Sequence, residues 1–142
     1  MAQTTLVKSF LPILIVLGAA TAYGFWYQKS RGKIQAKAIS GKALTASIIG
    51  GDLGSRATLV QFSSAFCTPC RATRTLLENV VSDLSDVRHV EIDAETNLDL
   101  VRKLDIRSTP TTLILNGLGI EVGRAIGAPK RDQVLAALAA IK

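Results

Sequence analysis

The spacing of apolar residues over the last two thirds of the chain predicts a domain of alternating strands and helices. Short apolar or alternating runs predict strands at residues 57–62, 87–93, 111–115 and 120–126. Apolar residues that recur every three or four positions predict helices at residues 68–84 and 97–104, and a last helix that Pro129 opens. This order favours a parallel first pair of strands and an antiparallel last pair, the latter joined by a turn at residues 116–119. Residues 44–49 carry a weaker pattern that fits a strand or a short helix.

An apolar segment precedes this domain. Residues 10–27 contain no charged side chain. As a helix they would extend roughly 27 Å, close to the ~30 Å hydrocarbon core of a bilayer. Trp26 and Tyr27 lie where an interfacial aromatic belt would form. We therefore predict that residues 1–27 form a transmembrane helix, and the alternative is a signal peptide cleaved near Ala20-Thr21-Ala22.

The excess of basic residues lies entirely beside this segment. The chain has 17 Lys and Arg against 11 Asp and Glu, a net charge of +6, and residues 1–50 contain no acid and six basic residues. Residues 51–142 are therefore formally neutral, which argues against a nucleic-acid-binding domain. We predict that residues 28–42 form a basic juxtamembrane linker and that residues 43–142 fold as one domain. The positive-inside bias places that domain in the cytoplasm of a single-pass membrane protein, and an extracytoplasmic domain is the alternative.

Two cysteines stand between the first strong strand and the helix that follows it. Cys67 and Cys70 are the 2 cysteines of the chain. At a helix start the partial positive charge of the backbone favours a Cys67 thiolate, which is the nucleophilic form, while Cys70, one turn further in, would be the more buried resolving thiol. Pro69 suits the first helical turn, and Arg71 and Arg74 add positive potential. Half a zinc site is a weaker alternative, because four ligands are usual and the chain has a single histidine.

Residues 43–142 resemble the thioredoxin family. Four features carry the resemblance: Cys67-Thr68-Pro69-Cys70 after an apolar strand, the next strand at residues 90–93, the segment Arg107-Ser108-Thr109-Pro110-Thr111, and Asn116-Gly117 followed by Gly127 before the last helix. The resemblance implies an α/β thioredoxin-like fold, in which a central mixed sheet is flanked by helices. It also implies a thiol–disulfide oxidoreductase whose only redox group is the Cys67–Cys70 disulfide, with neither a bound cofactor nor a metal.

The family pattern also indicates where a substrate would bind. Thr109 and Pro110 resemble the family's cis-proline loop, which faces the disulfide, and the backbone of Thr109 could pair with an extended substrate strand. Phe66 stands where the family usually has tryptophan, and it could shield the thiols or contact a partner. Thr68-Pro69 replaces the usual Gly-Pro between the cysteines. An ordinary strand-initiating proline is the alternative reading of Pro110.

Two positions depart from the family pattern in a way that bears on proton transfer. Gln61 aligns with the family's buried acid, which normally helps to remove the proton from the resolving thiol, and His89 aligns with a lysine near that acid. Gln61 cannot accept a proton. His89 could take that role because it titrates near neutrality, but solvent is the simpler acceptor, and a local hydrogen bond is the plainer function of His89.

These observations predict a membrane-tethered protein-disulfide reductase. Proline before the second cysteine resembles the reducing members of the family more than the oxidising ones. The sequence contains no flavin or nicotinamide motif, so a separate electron donor is required, either a thioredoxin-reductase-type system or a membrane carrier. A non-catalytic redox-sensing or adaptor module on a membrane assembly is the alternative function.

Overall fold

The structure, a computed structural model, describes residues 2–30, 34–36 and 43–141. The chain divides into two compact units, Met1–Arg31 and Gly32–Lys142. The elements are α1 (Ala2–Ser30), β1 (Ile34–Ala36), α2 (Ala46–Ile49), β2 (Ala57–Ser63), α3 (Thr68–Ser82), β3 (Val87–Asp93), α4 (Leu98–Lys103), β4 (Thr111–Asn116), β5 (Glu121–Ile126) and α5 (Arg131–Ala139).

The first unit is the single helix α1. Its side chains from residue 12 to residue 27 are exposed, and Pro12 lies inside the helix. In the part of the chain that the structure describes, no helix has the combination of length and apolar character needed to cross a membrane. The transmembrane helix predicted at residues 1–27 is therefore not confirmed.

The second unit contains a five-stranded mixed sheet in the order β1-β5-β4-β2-β3. β2 and β3 are parallel, whereas β4 pairs antiparallel with both β2 and β5. The parallel first pair and the antiparallel last pair are thus confirmed, together with the element order from β2 to α5. β1 lies within the segment that was predicted as a linker, and it pairs antiparallel with β5, Ile34 opposite Ala125. A strand of three residues is too short to leave a periodic pattern in the sequence, so it was not predicted.

The sheet has an apolar core on each face. On one face, Val60 and Phe62 of β2 pack in a cluster that also takes in residues from α4 and the segment before β2. On the other face, Leu59 of β2 packs with Leu77 of α3 and Leu138 of α5. Because both faces are covered, every residue of β2 is buried. The disulfide segment therefore follows the most enclosed strand of the sheet, which gives it a rigid support.

Helix boundaries differ slightly from the sequence pattern. α3 ends at Ser82, two residues before the predicted end. α5 begins at Arg131, and Lys130 is its N-cap with an extended backbone (φ −87°, ψ 152°). Pro129 therefore precedes the helix and does not open its first turn, so that detail of the prediction was wrong. The short element at residues 44–49 is the helix α2.

Candidate functional site

Cys67 and Cys70 are joined by a disulfide at the start of α3, with their Cα atoms 5.2 Å apart. Cys67 is the N-cap residue, and its Sγ accepts a hydrogen bond of 3.1 Å from the backbone N–H of Cys70. Pro69 lies in the first turn, where its missing N–H leaves no gap in the helical hydrogen bonding. Cys70 is only 2% exposed, whereas Cys67 is half-buried. Cys67 is thus the more accessible of the two cysteines.

The two arginines after the cysteines lie in different surroundings. Arg71 donates a hydrogen bond of 3.2 Å to the Thr68 hydroxyl and, among the described residues, has no acidic partner at ion-pair distance. Arg74 lies 2.6 Å from the Glu91 carboxylate, which also accepts a hydrogen bond from Ser63. Burial raises the pKa of Glu91, but the hydrogen bonds from Arg74 and Ser63 outweigh it and leave that pKa below its usual value. Arg71 is therefore the uncompensated cation nearest in sequence to the disulfide.

The predicted cis-proline loop lies beside the segment that leads into the disulfide. The Thr109–Pro110 peptide bond is cis, as the resemblance implied. The hydroxyls of Ser64 and Thr109 are 3.3 Å apart, and the carbonyl of Pro110 accepts a hydrogen bond of 2.8 Å from the N–H of Gly127. Ser64 stands three residues before Cys67, so this contact places the loop next to the reactive segment. Pro110 is buried and Thr109 is half-buried.

Phe66 points away from the protein. Its side chain is 96% exposed, the largest exposed fraction among the described large apolar side chains. It therefore does not cover the sulfurs from within the fold, and of the two predicted uses the contact with a partner fits this position better. A large aromatic ring exposed to water next to Cys67 is free to pack against another protein.

Gln61 and His89 are brought together directly behind Cys70. Gln61 is 0% exposed, and its Nε2 donates a hydrogen bond of 2.9 Å to the carbonyl oxygen of Cys70. Its Oε1 lies 3.2 Å from Nε2 of His89. Burial lowers the pKa of His89; nearby Glu78 and Glu91 act in the opposite direction without overcoming it, and Arg74 adds to the lowering. Gln61 thus connects the half-buried imidazole of His89 to the backbone of Cys70.

Two polar residues near the disulfide were missed by the sequence reasoning. Thr73 follows Cys70 on the buried face of α3, and Thr112 is the cross-strand partner of Gln61. Both are 2% exposed, and among the described residues neither hydroxyl has a hydrogen-bond partner. The sequence could have indicated Thr73, because it lies three residues after Cys70 and therefore on the same face of the helix.

Comparisons with known proteins agree with this geometry. The sequence model of the thioredoxin family matches residues 45–140. The chain is similar to thioredoxin from Chlamydia pneumoniae, with 32% identity over 80 residues that cover 56% of this chain and 78% of that protein. It is also similar to a bifunctional thioredoxin reductase/thioredoxin from Mycobacterium leprae, with 31% identity over 78 residues, 54% of this chain and 17% of that protein. A crystal structure of a thioredoxin from Nicotiana alata superposes with a TM-score of 0.54 at 27% identity, covering 60% of this chain and 72% of that one.

Proposed function

This chain belongs to the thioredoxin family and has its thiol–disulfide oxidoreductase activity, and we propose that it serves as a protein-disulfide reductase attached to a membrane. The observation that carries the reductase proposal is the unequal exposure of the two cysteines. Cys67 is half-buried and its sulfur accepts a hydrogen bond from the N–H of Cys70, while Cys70 is buried one turn further along α3. One thiol is thus placed to attack a substrate and the other to resolve the product.

The proposed reaction has two exchange steps. In the reduced protein, the Cys67 thiolate attacks one sulfur of a substrate disulfide; a Cys67–substrate disulfide forms and the other substrate sulfur leaves as a thiolate. Cys70 then loses its proton, and its sulfur attacks Sγ of Cys67. The Cys67–Cys70 bond forms, the second substrate sulfur leaves, and the proton ends on a released substrate thiolate. Two electrons pass from the cysteine pair to the substrate disulfide.

The surface around Cys67 supports a protein substrate. The half-buried Thr109 lies beside the segment that precedes Cys67, where its backbone could pair with an extended strand of the substrate. Phe66, the residue before Cys67, exposes its ring to the solvent. An extended peptide bound between them would bring its disulfide to Sγ of Cys67. A thioredoxin-reductase-type system would then supply the electrons for the next cycle, as the thioredoxin reductase and thioredoxin joined in the Mycobacterium leprae relative suggest.

The test of the reductase proposal is turnover together with capture of the intermediate. The full chain should reduce the interchain disulfides of insulin when a chemical dithiol regenerates it. The Cys70→Ser variant should instead accumulate a mixed disulfide with its substrate, and the Cys67→Ser control should not. Negligible insulin reduction by the full chain would overturn the proposal. Partners that remain bound to the Cys67→Ser, Cys70→Ser double variant would then identify an adaptor.

The apolar surface of α1 supports attachment to a membrane. Residues 13–17 expose 53% or more of each side chain, and Phe25 and Trp26 are 74% and 66% exposed. An apolar helix surface of this extent is stable in contact with lipid and costly in water. The basic residues that follow it in the sequence support a cytoplasmic position of the thioredoxin-like domain, by the positive-inside bias.

Membrane attachment is tested by washing cell membranes with alkaline carbonate. The full chain should stay with the membrane fraction, and a Leu14→Asp, Leu17→Asp variant should be released. Leu98→Asp is the matched control, because Leu98 is also an exposed leucine but belongs to α4. Release of the unmodified chain by the wash would contradict attachment. Rapid labelling of Cys67 in intact cells by a membrane-impermeant thiol reagent would contradict the cytoplasmic placement.

A further inference from the structure

His89 occupies a position behind the disulfide that the exchange reaction, as described so far, does not use. Its Nε2 lies 3.2 Å from Oε1 of Gln61, and Gln61 in turn binds the carbonyl of Cys70 at 2.9 Å. Gln61 is fully buried, so neither of these hydrogen bonds can be exchanged for one to water without opening the core. His89 itself is half-buried and reaches the edge of the fold. A chain of hydrogen bonds through Gln61 therefore connects the partly exposed His89 to the backbone of the resolving cysteine, Cys70.

The hydrogen bonds fix which nitrogen of His89 carries a proton. The Cys70 carbonyl accepts only, so the Gln61 amide must turn its NH2 toward Cys70 and its oxygen toward His89. That oxygen also accepts only, so Nε2 of His89 must be the donor. Neutral His89 is therefore protonated at Nε2 and carries its lone pair on Nδ1. Protonation at Nδ1 adds a charge without breaking the bond to Gln61.

Charged side chains face the imidazole from the elements packed against it. Glu91 belongs to the same strand, β3, and Glu78 and Arg74 belong to α3; the partner from β2 is the neutral Gln61. None of these groups changes charge when the disulfide opens. The sulfurs do under the proposed reaction, in which reduced Cys67 attacks as a thiolate and Cys70 becomes a thiolate each time it resolves a substrate. A positive His89 is thus favoured in the reduced protein more than in the oxidised one.

We propose that His89 is a positioning residue for Cys70, which orients the buried Gln61 amide and couples its own protonation to the redox state of the Cys67–Cys70 pair. The proposal deepens the proposed exchange reaction and rests on it for its kinetic consequence. Its equilibrium consequence, a proton affinity of His89 that depends on the redox state, does not require turnover of a substrate. Coupling is reciprocal, so reduction raises the proton affinity of His89 by the same factor by which protonation of His89 favours the reduced cysteine pair.

The equilibrium test uses the fact that His89 is the only histidine in the chain. The full chain, in detergent micelles, is titrated by ¹H–¹⁵N nuclear magnetic resonance of the imidazole in its oxidised and reduced forms. We expect an Nε2-protonated ring in both forms and a pKa of His89 that is about half a pH unit higher after reduction, roughly a threefold gain in proton affinity. Arg88→Gln, on the same strand, should keep this difference. Identical titrations of the two forms, or a ring protonated at Nδ1, would overturn the proposal.

The kinetic test distinguishes the hydrogen bond from His89 to Gln61 from the titration of His89. In His89→Gln the amide NH2 can still donate to Gln61 but does not titrate, and in His89→Leu both properties are lost. The measured quantity is release of the second substrate thiol from a preformed Cys67 mixed disulfide. At pH 8 we expect His89→Gln to stay within about twofold of the unmodified chain and His89→Leu to be about tenfold slower, a difference of the size expected for one hydrogen bond. Equal rates for all three proteins would contradict the positioning role.

The two tests also distinguish this proposal from the proposed function. If insulin is not reduced but the titrations of His89 differ between the redox forms, the reductase proposal fails and the coupling remains. If insulin is reduced at a normal rate and the titrations coincide, the reductase proposal remains and the role of His89 fails. A merely structural His89 would lower stability when substituted, but its titration would not change with the redox state.

Discussion

The backbone N–H of Cys70 donates a 3.1 Å hydrogen bond to Sγ of Cys67, so the sulfur of one cysteine is the N-cap of the helix that contains the other. The same N–H is available to the sulfur as a thiolate after the disulfide has opened, and a hydrogen bond to an ionised acceptor is stronger than one to a neutral acceptor. The start of α3 is therefore expected to favour the thiolate form of Cys67 in the reduced protein. This relationship supports the proposed role of Cys67 as the nucleophile.

Removing the positive charge of Arg71 should make Cys67 less reactive. Arg71 is exposed and uncompensated by an acid among the described residues, so Arg71→Gln removes positive potential from the thiolate. In Arg71→Gln we expect the alkylation of Cys67 by iodoacetamide at pH 6.5 to be about twofold slower. The difference should be smaller at high salt.

Arg88→Gln is the matched control for Arg71→Gln. Arg88 pairs with Thr58, five residues before the end of β2, which is about 16 Å along the strand from Ser63. Its loss should leave the rate of alkylation unchanged. Equal slowing in the two variants would show a general effect of net charge and not a local one.

The exposed ring of Phe66 should matter for protein substrates and not for folding. Phe66→Ser removes a side chain that is 96% exposed, so the free energy of unfolding should change by less than about 0.5 kcal/mol. The KM for insulin should rise several-fold, while reduction of a small aromatic disulfide reagent should keep its rate. An unchanged KM for insulin would remove Phe66 from the substrate surface.

Stability should fall when His89 gains a proton. Burial lowers the pKa of His89 in the folded protein, so the unfolded chain binds the proton first as the pH decreases. The stability that neutral His89 contributes is complete above about pH 6.5, its ordinary pKa, and it is lost as the pH falls through the folded-state value. Carboxylates with a lowered pKa, such as Asp86 and Glu91, change the stability only at more acidic pH, where they gain protons.

Thermal unfolding between pH 7.5 and pH 5 measures this effect. The Tm of the unmodified chain should decrease over this range more than the Tm of His89→Gln, whose side chain does not titrate. Arg88→Gln should behave like the unmodified chain. Parallel curves for the unmodified chain and His89→Gln would mean that His89 titrates alike in the folded and unfolded states.

Two buried threonines provide a matched test of the unpaired hydroxyl. The Thr112 hydroxyl has no partner among the described residues, whereas the Thr58 hydroxyl accepts a 2.9 Å hydrogen bond from the N–H of Gly54. Valine has a similar shape without the polar atom. We expect Thr112→Val to raise the free energy of unfolding by about 1 kcal/mol and Thr58→Val to lower it by about 1–2 kcal/mol. Chemical denaturation measures both, and a loss of stability in Thr112→Val would show that its hydroxyl is paired.

The order of elements from β2 to α5 could be predicted because each of them repeats a simple pattern. Apolar runs and three-or-four spacing are set by which side chains a strand or helix buries, and that information is local. β1 could not be predicted, because a strand of three residues is stabilised by its pairing with β5 and not by its own composition. The start of α5 was misplaced since the extended backbone of Lys130 depends on its surroundings and not on Pro129.

Within the site, the sequence predicts which residues take part but not which of them are in contact. The pair Cys67 and Cys70 could be predicted from its position at a helix start, and the cis Thr109–Pro110 bond was implied by the resemblance to the thioredoxin family. The hydrogen bond from Gln61 to the Cys70 carbonyl joins residues of different elements, and the pairing of Arg74 with Glu91 depends on the register of α3 against β3. Such contacts are properties of the packed fold, so a single sequence leaves them open.

Selective alkylation is the most direct measurement of the central claim that Cys67 attacks and Cys70 resolves. The reduced full chain is treated at pH 7 with a limiting amount of iodoacetamide, and the modified peptides are quantified by mass spectrometry. Cys67 should be alkylated at least about tenfold faster than Cys70, because its sulfur accepts the hydrogen bond from the Cys70 N–H and it is the more exposed cysteine. Equal modification of the two cysteines, or faster modification of Cys70, would contradict the account.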